Sequence, residues 1–336
     1  MYPMVFITDT NIKCVLYKIL IIIIIIVLYI FIKKSQKILK QPLIKTEPIK
    51  LSLAERMKNL EIEYKKIQPY ESFIIRADGK SFSSYTNGLK KPFDKHFINA
   101  IIRTSNSLLG EFNGATIAYC SSDEISIIVP RICSKEEYDK LIILNKELPT
   151  HYASGRQSKI ITLIAARCSV IFNKYMNEEI KNNLDEYTEK TIEKIKKSEA
   201  IFDARIILIP INMEIEIVNN IIWRSNYNCL SNTISSYGRY KLGDKQIKNK
   251  NGAEQIQMMK NINFDFDIAV PNYIKYGILS KKIIIKMIDD KGDEYIRGKI
   301  MNFSSNIMKE NKLNVLNLFL SKYYIDDLIN IVEYPI

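Results

Sequence analysis

The chain has 336 residues, 47% of them hydrophobic, which is enough to bury the core of one large domain or two smaller ones. Lys and Arg number 49 against 37 Asp and Glu, and the net charge of +12 suits a polyanionic partner such as RNA or an anionic membrane surface. The chain is also rich in Ile, Lys and Asn, so part of the positive charge can reflect this general bias in composition and not a binding partner. Two histidines and five scattered cysteines without a Cys-x-x-Cys pair argue against a His-based metal site, a zinc site or a secreted disulfide framework. Any metal chemistry must therefore rest on carboxylates.

The first patterned segment, residues 15–32, is apolar except for Lys18 and is followed by Lys33 and Lys34. A membrane span needs roughly 20 apolar residues, with about 17 as a lower limit, so the segment predicts a marginal, uncleaved membrane anchor in which Lys18 reaches toward the interface. A cleaved signal peptide is the alternative, but no small-residue cleavage site follows. The lysine excess on its carboxyl side predicts that the rest of the chain faces the cytosol.

The rest of the chain is predicted to fold as α+β. Residues 41–50 carry two prolines and two lysines and are typical of a linker. We therefore divide the chain into an anchor and linker (1–50), a palm-like domain (51–240) and a C-terminal helical or mixed region (241–336). The predicted elements of the palm are a helix at 53–67, a strand at 72–76, a helix at 94–109, strands at 115–120 and 125–129, a helix at 158–175 and a strand at 204–209. After the first helix, this order is that of a ferredoxin-like antiparallel sheet with helices on one face, the topology of polymerase palms and nucleotide cyclases.

Two acidic positions stand out at predicted strand ends. Asp78 closes a buried strand and is followed by Gly79, while Asp123 and Glu124 lie at the tip of a predicted hairpin that can lie beside it. Carboxylates on neighbouring strand ends are the ligands that Mg²⁺ prefers. An Asp-Gly pair alone is more often a simple turn, so the argument depends on the two positions together.

Residues 76–82 (Arg-Ala-Asp-Gly-Lys-Ser-Phe) resemble the Arg-x-Asp-Gly-x-x-Phe motif of the tRNA(His) guanylyltransferase family, and residues 121–126 resemble its Ser-Asp-Glu motif. Further blocks follow in family order: Lys91-Pro92-Phe93-Asp94, Arg156-Gln157-Ser158-Lys159, Phe202-Asp203-Ala204-Arg205, Trp223-Arg224, and Pro271 with Tyr276-Gly277. The resemblance covers roughly residues 53–286.

The resemblance implies a nucleotidyltransferase that extends the 5′ end of tRNA with ATP and GTP or other nucleoside triphosphates, and that forms a homo-oligomer. With such a substrate, the Tyr- and Lys-rich region 241–336 is predicted to bind the tRNA body through its phosphates or to support assembly. It implies two Mg²⁺ ions bound by Asp78, Asp123 and the Gly79 carbonyl, with Glu124 as a further catalytic residue. The nucleotide-binding positions that it implies are Gly79, Lys80, Ser81, Phe82, Lys91, Ser122, Arg156, Lys159 and Asn232.

Two departures from the family pattern narrow the expected activity. Ser83 stands where many members have His, and residues 225–232 lack the His-Ile-Asn-Asn block of eukaryotic members. The chain therefore resembles the guanylyltransferase-like branch, which implies 5′-end repair rather than strict G₋₁ addition. A membrane-bound nucleotide cyclase and a tethered, catalytically weak tRNA-binding protein are the alternatives. For Trp223, we favour packing in the core over base stacking.

Overall fold

The computed structural model describes residues 65–288, 292–324 and 332–334, together with Ile26 and Tyr29. The fold below belongs to the compact unit Glu63–Ile336. Apart from Ile26 and Tyr29, the predicted anchor and linker lie outside the described residues, as does most of the predicted helix at 53–67. Within the described ranges, no helix is long and apolar enough to cross a membrane. The anchor stays a prediction.

The described strands form one antiparallel sheet with the order β4-β1-β3-β2-β5-β6-β7. Their bounds are β1 Phe73–Gly79, β2 Ile117–Ser121, β3 Glu124–Val129, β4 Phe202–Leu208, β5 Ile278–Ile288, β6 Glu294–Ser304 and β7 Val332–Glu333. The helices are α1 Phe82–Tyr85, α2 Lys95–Glu111, α3 Lys135–Ile143, α4 Gln157–Lys181, α5 Glu189–Lys196, α6 Ile215–Ile222, α7 Leu230–Leu242, α8 Asp244–Ile247, α9 Gly252–Asn261, α10 Phe266–Ala269, α11 Asn272–Tyr276 and α12 Lys312–Leu320. A π-helical segment, Trp223–Cys229, joins α6 to α7, and short 3₁₀ turns cover Tyr152–Gly155, Leu184–Glu186 and Ile307–Lys309.

The first four strands confirm the predicted ferredoxin-like palm. β1 pairs antiparallel with both β3 and β4, and β2 pairs with β3, so the order is β4-β1-β3-β2 with α2 and α4 as the two crossover helices. Strands β5 and β6, from the C-terminal region, extend the same sheet beyond β2. The ends of each predicted palm strand lie within three residues of the observed ends, because an apolar run marks the strand.

One face of the sheet packs against α2 and α4. Asp94 begins α2, since its side chain accepts hydrogen bonds from the amides of His96 and Phe97 at 2.9 and 3.0 Å. The core on this face takes alternate residues of β1, including Phe73 and Ile75, which are fully buried. Alternation along the strand therefore sends the residues between them to the other face.

Among the described residues, α6 and α12 cover part of the opposite face of the sheet. Ile74 and Ile128 pack there against apolar side chains of both helices. Lys281 of β5 is also fully buried at this side, where its ammonium donates to the backbone carbonyls of Thr116 (3.1 Å), Leu318 (2.7 Å) and Ser321. Burial, and to a smaller extent the charge of Lys282, lowers the pKa of Lys281 to about 7. By alternation from Ile74, Asp78 lies on this partly open face.

Candidate active site

Two of the predicted acidic residues meet where β1 ends and the β2–β3 hairpin turns. Asp78 is the penultimate residue of β1, and Asp123 lies in the turn between β2 and β3. The strand register pairs Asp78 with Glu124, and the Gly79 amide donates to the Asp123 carbonyl oxygen at 3.0 Å. Strand pairing thus places the backbones that carry the two aspartates side by side.

The Asp123 carboxyl lies in surroundings that disfavour its charge. Burial raises its pKa, and the negative charge of Asp78 adds to the rise, while Ser122 and Arg224 act in the opposite direction. The Asp78 side chain is 38% exposed, so it remains accessible from the open face. A divalent cation between the two carboxylates relieves both the burial cost and the repulsion.

The donor set fits Mg²⁺ with few protein ligands. Among the described residues, no group of three or more His, Cys, Asp or Glu side chains is placed to hold a metal. Mg²⁺ is commonly bound by one or two carboxylates, with water and substrate phosphate oxygens as its other ligands. Asp78 and Asp123 would supply that pair.

Glu124 is held differently from the two aspartates. The residue is 3% exposed, and Arg224 donates from Nε to its Oε1 at 2.7 Å and from Nη2 to its Oε2. Arg76 Nε lies 3.9 Å from the same Oε2. Because both carboxylate oxygens face guanidinium groups, the pair anchors the strand start that directly follows Asp123.

Strand β4 adds further charges beside the acids. The register sets Asp203 opposite Asp78 and Arg205 opposite Arg76. Arg205 Nη2 lies 3.1 Å from Asp203 Oδ1 and 4.0 Å from Asp78 Oδ2. The sequence analysis gave Asp203 and Arg205 no role, although their alternation with the buried Phe202 was the signal that they share one face.

The residues that directly follow Asp78 do not line the cavity, and Phe82 among them packs in the core. A Cβ on Gly79 would lie 2.4 Å from the ring of Phe82, so glycine is required for that ring to pack there. Phe82 is 4% exposed and contacts the rings of Phe172 and Phe202, with centroids 5.4 and 4.9 Å apart. Lys80 and Ser81 are exposed. None of the predicted nucleotide-binding residues Gly79 to Phe82 lines the cavity described next.

A cavity of about 500 Å³ opens next to Asp78 and Asp123. This volume lies in the range of small-ligand sites. Three predicted nucleotide-binding residues, Lys91, Ser122 and Asn232, line it, and so does Ser83. The wall also includes residues that the sequence analysis missed: Lys90, Asn228, Ser236 and Arg239. The four-residue spacing of 224, 228, 232 and 236, one face of a helix, could have identified part of this wall.

Arg156 and Lys159 lie away from this cavity. Arg156 precedes α4 and forms a β-bridge with Lys66, which leads into the start of β1. Asn173, much further along α4, bonds to the carbonyl of Ala200 at the level where β1 ends. The helix rises about 1.5 Å per residue, so the two cationic residues lie roughly 20–25 Å from the carboxylate end of the sheet. Within one chain, the fold does not bring them to Asp78 and Asp123.

Trp223 is 48% exposed, so the expectation that it packs in the core is wrong. The helix α6 buries Ile217, Val218 and Ile221, but the chain then enters the π-helical segment Trp223–Cys229. A π-helical turn shifts the side chains that follow out of the α-helical register. It turns Arg224 toward Glu124 and leaves Trp223 at the surface.

A ferredoxin-like sheet with two carboxylates at strand ends, beside a cavity lined by both acids and cations, is the arrangement of a palm-type nucleotidyltransferase or cyclase. A family model described as tRNAHis guanylyltransferase matches residues 54–210. An uncharacterised protein of Acanthamoeba polyphaga mimivirus is 32% identical over 286 residues, which cover 84% of this chain and 94% of that protein. The chain belongs to the tRNA(His) guanylyltransferase family.

Solved structures agree with this assignment. A bacterial tRNA(His) guanylyltransferase-like protein in complex with ATP is 26% identical, with a TM-score of 0.59 over 80% of this chain and 99% of that one. Another structure of such a bacterial protein, in complex with GTP, is 25% identical, with a TM-score of 0.50 over 74% of this chain and 91% of that one. The tRNA(His) guanylyltransferase of Saccharomyces cerevisiae, at 18% identity and a TM-score of 0.50 over 72% of this chain and 94% of that one, shares the fold.

Proposed function

We propose that this protein is a 3′–5′ nucleotidyltransferase that adds nucleotides to the 5′ end of tRNA, in 5′-end repair or G₋₁-type addition. The observation that carries the proposal is the meeting of Asp78 and Asp123 at a cavity of about 500 Å³ whose wall includes Lys90, Lys91 and Arg239. The ATP and GTP complexes of the bacterial family members support nucleoside triphosphates as the second substrate.

The reaction joins the 3′-hydroxyl oxygen of an incoming nucleotide to the phosphorus at the 5′ end of the RNA. The bond that breaks links this phosphorus to pyrophosphate when the end is a triphosphate, or to AMP when ATP has first activated a 5′-monophosphate. The hydroxyl proton leaves as the new oxygen–phosphorus bond forms. Such in-line transfer depends on positioning and on stabilising charge at the phosphoryl oxygens.

Different residues of this chain would bind the metal ions, the triphosphate and the nucleoside. Asp78 and Asp123 would hold two Mg²⁺ ions, which when bound supply Lewis-acid activation of the hydroxyl and charge compensation at the phosphates. Lys91 and Arg239 are exposed cations on the cavity wall and would bind triphosphate oxygens. Asn232, also on the wall, offers an amide that can both donate and accept hydrogen bonds to a base or ribose.

The test is to incubate the purified protein with 5′-truncated tRNA, ATP, GTP and Mg²⁺, and to separate the products. Longer RNA supports the proposal. A cyclic nucleotide without RNA extension would identify a cyclase, and RNA binding without turnover by a folded protein would identify a binding protein.

Residues 15–32 would tether this activity to a membrane, with the catalytic unit in the cytosol. The apolar run and the lysines that follow it support this part of the proposal. Fractionating full-length protein and a variant without residues 1–40 tests it. A full-length protein that stays in the soluble fraction would contradict the tether, and activity of the truncated variant would show that residence and catalysis are separable.

Arg156 and Lys159 would bind triphosphate in the cavity of a second copy within a homo-oligomer. Their separation from Asp78 and Asp123 in one chain supports this arrangement, since the predicted triphosphate role needs another cavity. Mixing variants of the two sites, as described below, tests it.

A further inference from the structure

Two large aromatic side chains lie exposed on the π-helical segment. Trp223 is 48% exposed and Tyr227 is 57% exposed, and they stand four residues apart, so their side chains project from the same side. Exposed aromatic groups grouped on a surface mark binding sites more often than isolated apolar residues do. We call Trp223 and Tyr227 the aromatic pair.

The aromatic pair borders the catalytic cavity. Arg224, Asn228 and Asn232 follow each other by four residues and line the cavity, and the aromatic pair occupies the stripe immediately before them. The next stripe, with Ser225 and Cys229, is buried. Around this helical segment, the exposed aromatic side chains are therefore followed by the side chains that line the cavity and then by those buried in the core. This order places the aromatic pair on the cavity rim.

Hydrogen bonds fix the π-helical segment to neighbouring parts of the fold. Ser225 Oγ donates to the Tyr276 carbonyl at 2.8 Å, and the Asn226 amide donates to Asn306 Oδ1 at 2.6 Å. Arg224 is fixed by its double contact with Glu124. Because the backbone of this segment is already ordered, an aromatic side chain on it can bind a ligand without the entropy cost of ordering the backbone.

One cation accompanies the aromatic pair. Arg224 Cζ lies 5.2 Å from the centroid of the Trp223 ring, while its guanidinium also binds Glu124. Aromatic rings with nearby arginines are the recurrent surface for unpaired nucleic acid, since the rings stack on bases and the cations attract phosphates.

We infer that the aromatic pair stacks on unpaired nucleobases at the end of the RNA substrate. The inference rests on the proposed function, because the RNA end that reacts must approach Asp78 and Asp123 over this rim. The acceptor end of tRNA carries an unpaired 3′ tail directly beside the 5′ end, so bases are available there for stacking. Stacking tolerates any base, so the aromatic pair needs no particular sequence in the tail.

The first test compares RNA affinities. Trp223→Ala should weaken binding of 5′-truncated tRNA about 10-fold, and Trp223→Phe should retain most of the affinity, because an aromatic ring remains. Ile143→Ala is the control, since Ile143 is an 81% exposed apolar side chain at the end of α3, a helix that contributes no residue to the cavity wall. Equal affinities for the Ala variants at 223 and 143 would overturn the inference.

The second test needs no turnover. Trp223 is the single tryptophan of the chain, so its fluorescence reports this position alone. Without nucleoside triphosphates, tRNA with an intact 3′ tail should quench the emission saturably, and the same RNA trimmed of its unpaired tail should quench it much less.

The other outcomes separate this inference from the proposed function. RNA that binds by fluorescence anisotropy without any change in tryptophan emission would overturn the stacking role and leave the proposed function standing. An emission change that depends on protein concentration and not on RNA would assign the aromatic pair to a contact between copies and would also overturn it. No RNA binding at all would count against both.

Discussion

Arg224→Met removes one partner of the buried pair beside the candidate active site and should destabilise the fold measurably. The Glu124 side chain is 4% exposed and that of Arg224 is 18% exposed, so the carboxylate would stay buried with only Arg76, 3.9 Å away, as compensation. Removing one partner of a buried ion pair costs about 3–5 kcal/mol, and we expect about 3 kcal/mol because Arg76 remains. For a unit of this size the melting temperature should fall by about 6–10 °C.

The exposed pair Arg167–Glu111 provides the matched control. Arg167 donates from Nε and Nη2 to the two carboxylate oxygens of Glu111, both at 2.6 Å, but the side chains are 51% and 46% exposed. Arg167→Met should therefore cost much less stability than Arg224→Met, since water screens the exposed pair. Urea denaturation of both variants, and of the double variant Glu124→Gln/Arg224→Met, measures the difference. Equal losses from Arg224→Met and Arg167→Met, or no recovery in the double variant, would refute the reasoning from burial.

Three further predictions concern the site and the core. Asp78→Asn and Asp123→Asn should each lower nucleotide addition at least about 100-fold while unfolding as the parent does, since they remove charge that the metal needs and leave the core unchanged; near-normal turnover would show that the metal lies elsewhere. Arg156→Ala and Lys159→Ala should each be inactive alone. Either variant should regain activity when it is mixed and reassembled with Asp78→Asn, because an oligomer that contains one copy of each variant then has one complete site. Mixtures no more active than their components would contradict assembly across copies. Lys281 binds its proton more weakly in the folded state, with a pKa of about 7 against an ordinary 10.5, so between these values the unfolded chain holds more protons and stability should rise with pH. From pH 7 to 9 this contribution is up to about 2–3 kcal/mol, and urea denaturation should show that Lys281→Met removes it; a variant with an unchanged slope would show that the ammonium is not the cause.

The palm could be predicted from sequence because its strands are apolar runs. The β2–β3 hairpin lies where those runs predict it, with its acids at the turn, whereas α4 continues to Lys181, six residues beyond the predicted end at 175. Asp78 and Asp123 could be paired because both sit at strand ends whose topology was clear.

What the sequence could not provide is the position of residues outside that pattern. Arg156 and Lys159 open a helix, as expected, but only the direction of α4 relative to β1 reveals that this end is remote from Asp78. The exposure of Trp223 depends on the π-helical segment, which no propensity indicates, because α6 reads as a buried helix until its last residue. The contact of Glu124 with Arg224 joins residues that are far apart in the chain, so periodicity gives no signal for it.

The direction of RNA growth tests the central claim most directly. A 5′-truncated tRNA whose 3′-terminal ribose has been oxidised with periodate can no longer be extended at its 3′ end. We predict that the protein still incorporates labelled nucleotide into this RNA with Mg²⁺ present, that 5′-end mapping places the label at the new 5′ terminus, and that Asp78→Asn abolishes incorporation. Incorporation that disappears when the 3′ end is blocked, or label found only at the 3′ end, would contradict a 3′–5′ nucleotidyltransferase.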